Sequence, residues 1–357
     1  MSFIGCSKKF ITGLLLSGMI ISAFTGCGKT QDESTQTPKV KYINVGFSQV
    51  GAESDWRVAN TESICGTLTR ERGFNLMYDD AQQKQDKQII AIRNFVAQEV
   101  DCIVLAPVME TGWDTVLEEA RKAGIPVIVV DRMVDVTDKD LYTAWVGSDF
   151  KTEGKIACEW LNAFAEKKEI APEDIHIVGI QGTMGGTAQI GRSDALRDAC
   201  ILYGWDLLGQ EPADYAKAKS KEVMLGFLHR YENVNVVYCE NDNEALGAIE
   251  AIEESGRKVG TDIANGEIMI ISFDAAHSGL SMMLEGKIAL DVECNPLQGD
   301  ALCEIISDVE AGVDVEKYTY IEEKTFTSDD TVKSVIVDKK VYDITPLTQE
   351  ILDGREY

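Results

Sequence analysis

Acidic, guanidinium, amide and indole side chains gather just behind the apolar runs of this sequence. Glu53, Trp56 and Arg57 follow Ile43–Ser48, and Asp131 and Arg132 follow Val127–Val130. Arg192 lies in the helix-like stretch that comes after His176–Ile180 and Gln181–Thr183. Asn241 follows Val234–Tyr238, Asp274 follows Ile268–Ser272, and Glu293 follows Ala289–Val292. Side chains of these types suit hydroxyl groups. Each hydroxyl both donates and accepts, so carboxylates and amide oxygens take its proton while guanidinium and amide N–H groups supply one. An indole such as Trp56 can cover the less polar C–H face of a ring. The chemistry that answers to this set is recognition of a polyhydroxylated ring. Asp131 with Asp274 or Glu293 would also admit acid–base hydrolysis of a glycosidic bond.

Each member of the set has a plainer reading. Asp131-Arg132 could be a surface ion pair, Trp56 an ordinary core residue and Arg192 a solvated helix position. Asn241-Asp242, just before a helix-like stretch, could serve only as an N-cap. The loop Gly182–Gly186 has the glycines to cradle a phosphate. Its order, Gly-Thr-Met-Gly-Gly, is neither a GxGxxG fingerprint nor a GxxxxGK[ST] loop, so a tight strand-to-helix turn is expected. What favours a site is that all these residues fall at the same end of their strands.

The elements that must position them alternate. Strand-like Ile43–Ser48, Phe74–Tyr78, Cys102–Ala106 and Val127–Val130 are interleaved with helix-like Trp56–Arg72, Gln82–Gln98 and Thr115–Lys122. The rhythm repeats after residue 148, with helices predicted over Glu153–Glu166, Thr187–Tyr203, Lys217–Arg230, Asn243–Ser255 and Gly279–Glu285. Apolar strands alternating with amphipathic helices build parallel sheets covered on both faces. Two such series predict two similar α/β lobes, and ligands of open parallel sheets lie beyond the strands' carboxyl ends. Two lobes face to face would turn that crevice into a cleft.

The chain has 357 residues and a formal charge of −26, which argues against nucleic acid as a partner. Only three histidines are present, and no Cys/His spacing suggests a metal or cofactor site. Lys8-Lys9 precede an apolar stretch, Phe10–Phe24, shorter than a membrane span, and then Thr25-Gly26-Cys27. Residues 1–26 are expected to be a lipoprotein signal peptide, with Cys27 acylated and 27–40 a flexible polar tether. The protein would then be exported and held on the outer face of the cell membrane by that lipid alone. Of nine cysteines, Cys6 leaves with the signal and Cys27 carries lipid; the rest are expected to be mostly free and buried.

At this point the residues resemble a known family, the type I periplasmic sugar-binding proteins of ABC transporters, in the ribose/galactose-binding group. The resemblance is closest to the galactofuranose-binding branch. It is carried by Val45–Arg57, Asp80–Gln85, Phe95–Gln98, Ala106–Trp113, Asp131-Arg132, Gln181–Thr183, Ser220–Met224 and Asn241-Asp242, within residues 42–325. Beyond residue 330 the chain departs from the pattern. The resemblance implies two Rossmann-like lobes of parallel sheet flanked by helices and joined by a three-segment hinge. The chain would cross near residues 148, 294 and 319, giving a first lobe of 41–148 plus 294–318 and a second of 149–293 plus 319–357. Carried over by position, Glu53, Trp56, Arg57, Asp131 and Arg132 would meet a monosaccharide from the first lobe. Arg192, Tyr215, Asn241, Asp274 and Glu293 would meet it from the second lobe and hinge. The implied protein is a monomer that performs no catalysis, needs no cofactor and hands its sugar to a membrane permease. A receptor component for a membrane kinase, or a secreted carbohydrate-active enzyme, are the alternatives.

Overall fold

The computed structural model describes residues 41–357. The expected signal peptide, tether and lipidated Cys27 lie outside the described residues. The first βα series comprises β1 (Ile43–Gln49), α1 (Asp55–Thr67), β2 (Phe74–Asp80), α2 (Gln85–Ala97), β3 (Cys102–Leu105), α3 (Asp114–Lys122), β4 (Val127–Val130) and β5 (Ala144–Gly147). The second runs α4 (Phe150–Lys167), β6 (His176–Gln181), α5 (Thr187–Tyr203), β7 (Asp206–Pro212), α6 (Lys217–Arg230), β8 (Val236–Cys239), α7 (Asp242–Glu254), β9 (Met269–Asp274), α8 (His277–Leu284) and β10 (Leu290–Glu293). The chain then returns through α9 (Gly299–Glu310) and β11 (Tyr318–Tyr320). It ends in β12 (Thr325–Thr327), β13 (Ser334–Val337), β14 (Lys340–Asp343), β15 (Thr345–Pro346) and α10 (Gln349–Asp353).

Two sheets result. The first has the order β11-β5-β4-β3-β1-β2, with every pair parallel. The second is β15-β12-β10-β9-β8-β6-β7, parallel except where β12 runs antiparallel to β10. In each, the strand order reverses beside the first strand of its series, β1 or β6, and it is at such a reversal that a crevice opens. Val127–Val130 is buried throughout because helices cover both faces of the sheet, so no position alternates outward. Gly46 is required where α2 crosses β1: a Cβ there would stand 2.4 Å from the Phe95 ring.

The two lobes and parallel sheets are as the sequence reading expects, with several local differences. The stretch Trp56–Arg72 is not one helix; α1 ends at Thr67 and a separate 3-10 turn covers Arg70–Arg72. The sequence pattern does not mark strands β5 and β7 or helix α9. β7 is a half-buried edge strand carrying Asp206 and Glu211, so it lacks the apolar run that marks a central strand. The third crossing falls after β11, between Tyr320 and Thr325, because β11 still pairs with β5 in the first sheet. The segment beyond residue 330 is built into the second lobe: β15 extends its sheet, and Val332, Val335 and Val337 join a core cluster with α4. The seven cysteines among the described residues are all free, six of them buried.

Candidate functional site

The site begins at the carboxyl end of β1. Ser54 caps α1, its hydroxyl accepting from Arg57 N at 3.2 Å, which places Trp56 and Arg57 in the first turn, facing inward. Arg57 is buried among acceptors. Its Nε meets Glu53 Oε1 at 3.0 Å, Nη2 meets Asp131 Oδ2 at 2.6 Å and Nη1 meets Gln49 Oε1 at 3.3 Å. Its guanidinium carbon also lies 4.6 Å from the Trp56 ring centroid. Arg132, beside Asp131 at the end of β4, donates to Val108 O at 3.1 Å and stands 3.4 Å from Glu53 Oε1. Burial pushes the Glu53 carboxyl up, but Arg57 and Arg132 outweigh it and hold the group below its ordinary value.

The second lobe supplies the facing wall. Arg192 on α5 is buried, donates from Nε to Glu153 Oε2 at 2.8 Å and has Nη2 3.8 Å from Asp274 Oδ1. Burial drives the Asp274 carboxyl well above its ordinary value, with Arg192 opposing. Asn241 caps α7 through Oδ1, which accepts from Glu244 N at 2.8 Å. Tyr215 leans on Gly182, where a Cβ would fall 1.9 Å from its ring, and has Arg132 of the other lobe 5.3 Å from its ring centroid. The glycine in that loop therefore serves ring packing, as a tight turn and not a phosphate cradle.

Three of these residues hold positive φ: Asp131 at 62°, Tyr215 at 61° and Asp274 at 102°. Non-glycine residues are rare there and concentrate where a side chain must be aimed.

Between the walls lies a small cavity of about 280 Å³, a volume that includes solvent at its mouth. Trp56, Phe150, Ala188, Tyr215 and Cys294 form its apolar lining, drawn from both lobes and the hinge. The lobes touch along its rims: Glu110 N donates to Gly185 O at 2.9 Å, Met133 N to Thr187 Oγ1 at 3.0 Å and Asp55 N to Asn243 Oδ1 at 3.0 Å. Glu53, Arg192, Tyr215 and Asn241 line this cavity, and Glu53 Oε2, Arg192 Nη2, Tyr215 Oη and Asn241 Nδ2 have no hydrogen-bond partner within the protein. Buried polar atoms are seldom left so. A closed, small cavity with unspent donors and acceptors on both walls, and an aromatic floor, is built to wrap a small polar ligand.

A family model described as "Periplasmic binding protein domain" matches residues 45–312. The chain belongs to that family. Among its relatives, the galactofuranose-binding protein YtfQ of Escherichia coli (strain K12) is 38% identical over 306 residues, spanning 84% of this chain and 92% of YtfQ. A crystal structure from Mycobacterium smegmatis in complex with β-D-fucofuranose is 40% identical with a TM-score of 0.75, covering 80% of this chain and 91% of that one. The periplasmic binding protein component of the arabinose ABC transporter from Shewanella sp. ANA-3, bound to α- and β-L-arabinofuranose, is 38% identical with a TM-score of 0.73 over 80% and 91% of the two chains.

In this periplasmic binding protein the structure brings together Glu53, Trp56, Arg57, Asp131, Arg132, Arg192, Tyr215, Asn241 and Asp274 around the one cavity. It does not bring Glu293 there. That carboxylate is taken by the C-terminus: Oε1 pairs with Arg355 Nη1 at 2.6 Å and accepts from Tyr357 Oη at 2.6 Å, while Oε2 accepts from Lys324 N at 2.7 Å. The next residue, Cys294, lines the cavity instead, and its carbonyl accepts from Trp56 Nε1. A strand turns successive side chains to opposite faces, so an error of one residue moves the assignment across the sheet. Phe150 and Ala188 also went unnoticed in the sequence, where a lone aromatic or alanine at a helix start carries no signal. Of the cavity residues, Cys294 alone among the described residues belongs to a group of candidate metal ligands, with Glu153 and Glu323.

Proposed function

We propose that this protein captures a single monosaccharide in its furanose form, of the galactofuranose class, and delivers it unaltered to the permease of an ABC transporter. It does so as an exported monomer tethered to the membrane by the lipid on Cys27. The observation that carries the reading is the cavity lined from both lobes by residues with unpartnered polar atoms, Glu53 Oε2, Arg192 Nη2, Tyr215 Oη and Asn241 Nδ2. The furanose form is supported by the relatives, described as binding galactofuranose, β-D-fucofuranose and L-arabinofuranose. Hydrogen bonds from charged groups contribute about 1.5–3 kcal/mol each. A handful of them, less ordering and desolvation costs, reaches the roughly −8 kcal/mol of micromolar binding. Only the closed arrangement completes both walls, so the sugar stabilises closure, and closure is what a permease can read.

The test is calorimetric titration of the mature protein with D-galactose, D-fucose, L-arabinose, D-ribose and D-glucose, followed by carbon NMR of bound, 13C-labelled sugar. The first three are expected to bind, with the bound anomeric carbon in a furanose ring and the recovered sugar unchanged. A free sugar that is only a small fraction furanose binds with an apparent affinity reduced by that fraction. Failure of all five, a bound pyranose, or conversion to product would each overturn the reading.

A further inference from the structure

Behind the sugar cavity, the three chain crossings between the lobes converge on a second cluster. Ser148 lies on the first crossing, Cys294 and Asn295 on the second, and Glu323 on the third. Glu153, in the first turn of α4, reaches the same point. One ligand atom each from Glu153, Cys294 and Glu323 lie within 4.8 Å of one another. We propose that these three residues form a thiolate–carboxylate binding site for a divalent zinc-class ion at the hinge.

The argument begins with an unspent atom. Glu153 is only 2% exposed, and its Oε2 is occupied by Arg192, at 2.8 Å from Nε and 2.7 Å from Nη2. Its other oxygen, Oε1, has no hydrogen-bond partner. A buried carboxylate oxygen without a donor is costly, and besides Arg192, which holds Oε2, this side chain is joined by a thiol and another carboxylate. A cation bound by Glu153 Oε1, Cys294 Sγ and Glu323 would supply the missing partner.

The surroundings are those of a metal site. Arg192 orients Glu153 from behind, as an outer-shell donor does for a ligating carboxylate. Ser148 Oγ and Asn295 N, the latter at 3.1 Å, both donate to Glu323 Oε1 and fix that side chain, while Ser148 Oγ stands 3.4 Å from Cys294 Sγ. There is a route in. Glu153 and Glu323 also line an outer groove with Thr152, Tyr320 and Tyr342, separate from the sugar cavity that Cys294 lines. An ion can therefore enter from the groove and keep a water as fourth ligand on that side.

The donor set selects the ion. A thiolate with two carboxylates disfavours magnesium and calcium, which take oxygen alone, and suits zinc, which accepts Cys and Glu together at about 2.3 and 2.0–2.2 Å. Binding requires the thiolate and both carboxylates, so every proton these three buried groups hold is released to solvent. The ligands come from two crossings and from α4, so a bound ion would tie the hinge segments to the second lobe. This proposal is independent of which sugar the cavity takes.

The experiment uses the mature protein, reduced and free of chelators, titrated with Zn²⁺ by calorimetry and with Co²⁺ by absorption. One equivalent of Zn²⁺ is expected, and Co²⁺ should produce a thiolate-to-metal charge-transfer band in the near ultraviolet. Cys294→Ser should abolish the band, and Glu323→Gln should weaken Zn²⁺ at least tenfold. Cys303→Ser, a buried cysteine outside the cluster, should change neither. Thermal melting of each variant reports its folding. A wild-type protein that gives no stoichiometric Zn²⁺ binding and no thiolate band overturns the proposal whether or not the variants fold. So does a band that survives Cys294→Ser.

Discussion

Asn241 holds two tasks in one side chain, and substitution can separate them. Its backbone is extended, its Oδ1 caps α7 by accepting from Glu244 N at 2.8 Å, and its Nδ2, on a residue that lines the cavity, has no partner. Serine caps a helix about as well as asparagine, so Asn241→Ser should keep α7 within about a few tenths of a kcal/mol and leave the melting temperature essentially unchanged. It removes the amide donor, however, and leaves a sugar oxygen unpaired inside a closed cavity. That costs about 1–3 kcal/mol, or about 5- to 150-fold in dissociation constant. Asn241→Ala loses both tasks: the same fall in affinity, together with about 1 kcal/mol of capping energy and roughly 2 °C of melting temperature. Calorimetric titration with the preferred sugar and melting of the sugar-free variants supply the two readouts. Should Asn241→Ser bind within twofold of wild type, Nδ2 is not a ligand donor and the residue is a cap alone. Should it melt as low as Asn241→Ala, the assumption that serine replaces the cap here is wrong.

Other consequences concern the frame around the cavity. Burial, in the company of Asp274, pushes the Asp291 carboxyl up from 3.8 to about 7, while Asp242 beside it is also raised by burial and by Asp291. The folded chain thus keeps a proton that the unfolded chain releases, so stability should fall as pH rises through the window between those two values. Asp291→Asn mimics the protonated form and keeps Oδ1 for Ala275 N; melting curves should show it flatter between pH 5 and pH 8 than wild type, and an equally steep variant would exclude Asp291 as the source. Arg355→Ala strips a buried partner from Glu293 and should cost about 3 kcal/mol in urea denaturation, with Glu293→Gln in the same chain recovering part of the loss; additive effects would mean that the pair is not coupled. Cys27→Ser should move the protein from the membrane fraction to the medium, and a protein that stays membrane-bound would exclude the lipid tether.

The sequence was most legible where one element dictates its own boundaries. α5 and α6 start and stop at the residues expected, Thr187–Tyr203 and Lys217–Arg230, the first closed by Gly204 at φ 81°. The central strands were equally plain, because a strand buried on both faces is an uninterrupted apolar run. Edge strand β7, the short β5 and the return of the tail to Glu293 depend on partners distant in the chain, and no local pattern announces a contact such as Arg355 to Glu293, which spans 62 residues. The candidate site was readable for a different reason. In a parallel sheet the carboxyl ends of all strands lie on one side, so a list of polar residues after strands is already a list of neighbours. That logic reaches residue types but not atoms. Most of the charge it identified is spent inside the protein: Arg57 on Glu53 and Asp131, Arg192 on Glu153, Arg132 on Val108 O and Glu53. What remains for a ligand is the residue of that pairing, Glu53 Oε2, Arg192 Nη2, Tyr215 Oη and Asn241 Nδ2, on residues that share the cavity with the Trp56 and Phe150 rings. Specificity therefore resides in which oxygens and nitrogens the ion pairs leave over. Exchanging a charged residue reorganises the pairing before it touches the sugar, whereas Asn241, whose second polar atom is committed to a helix cap, can be altered at the cavity alone.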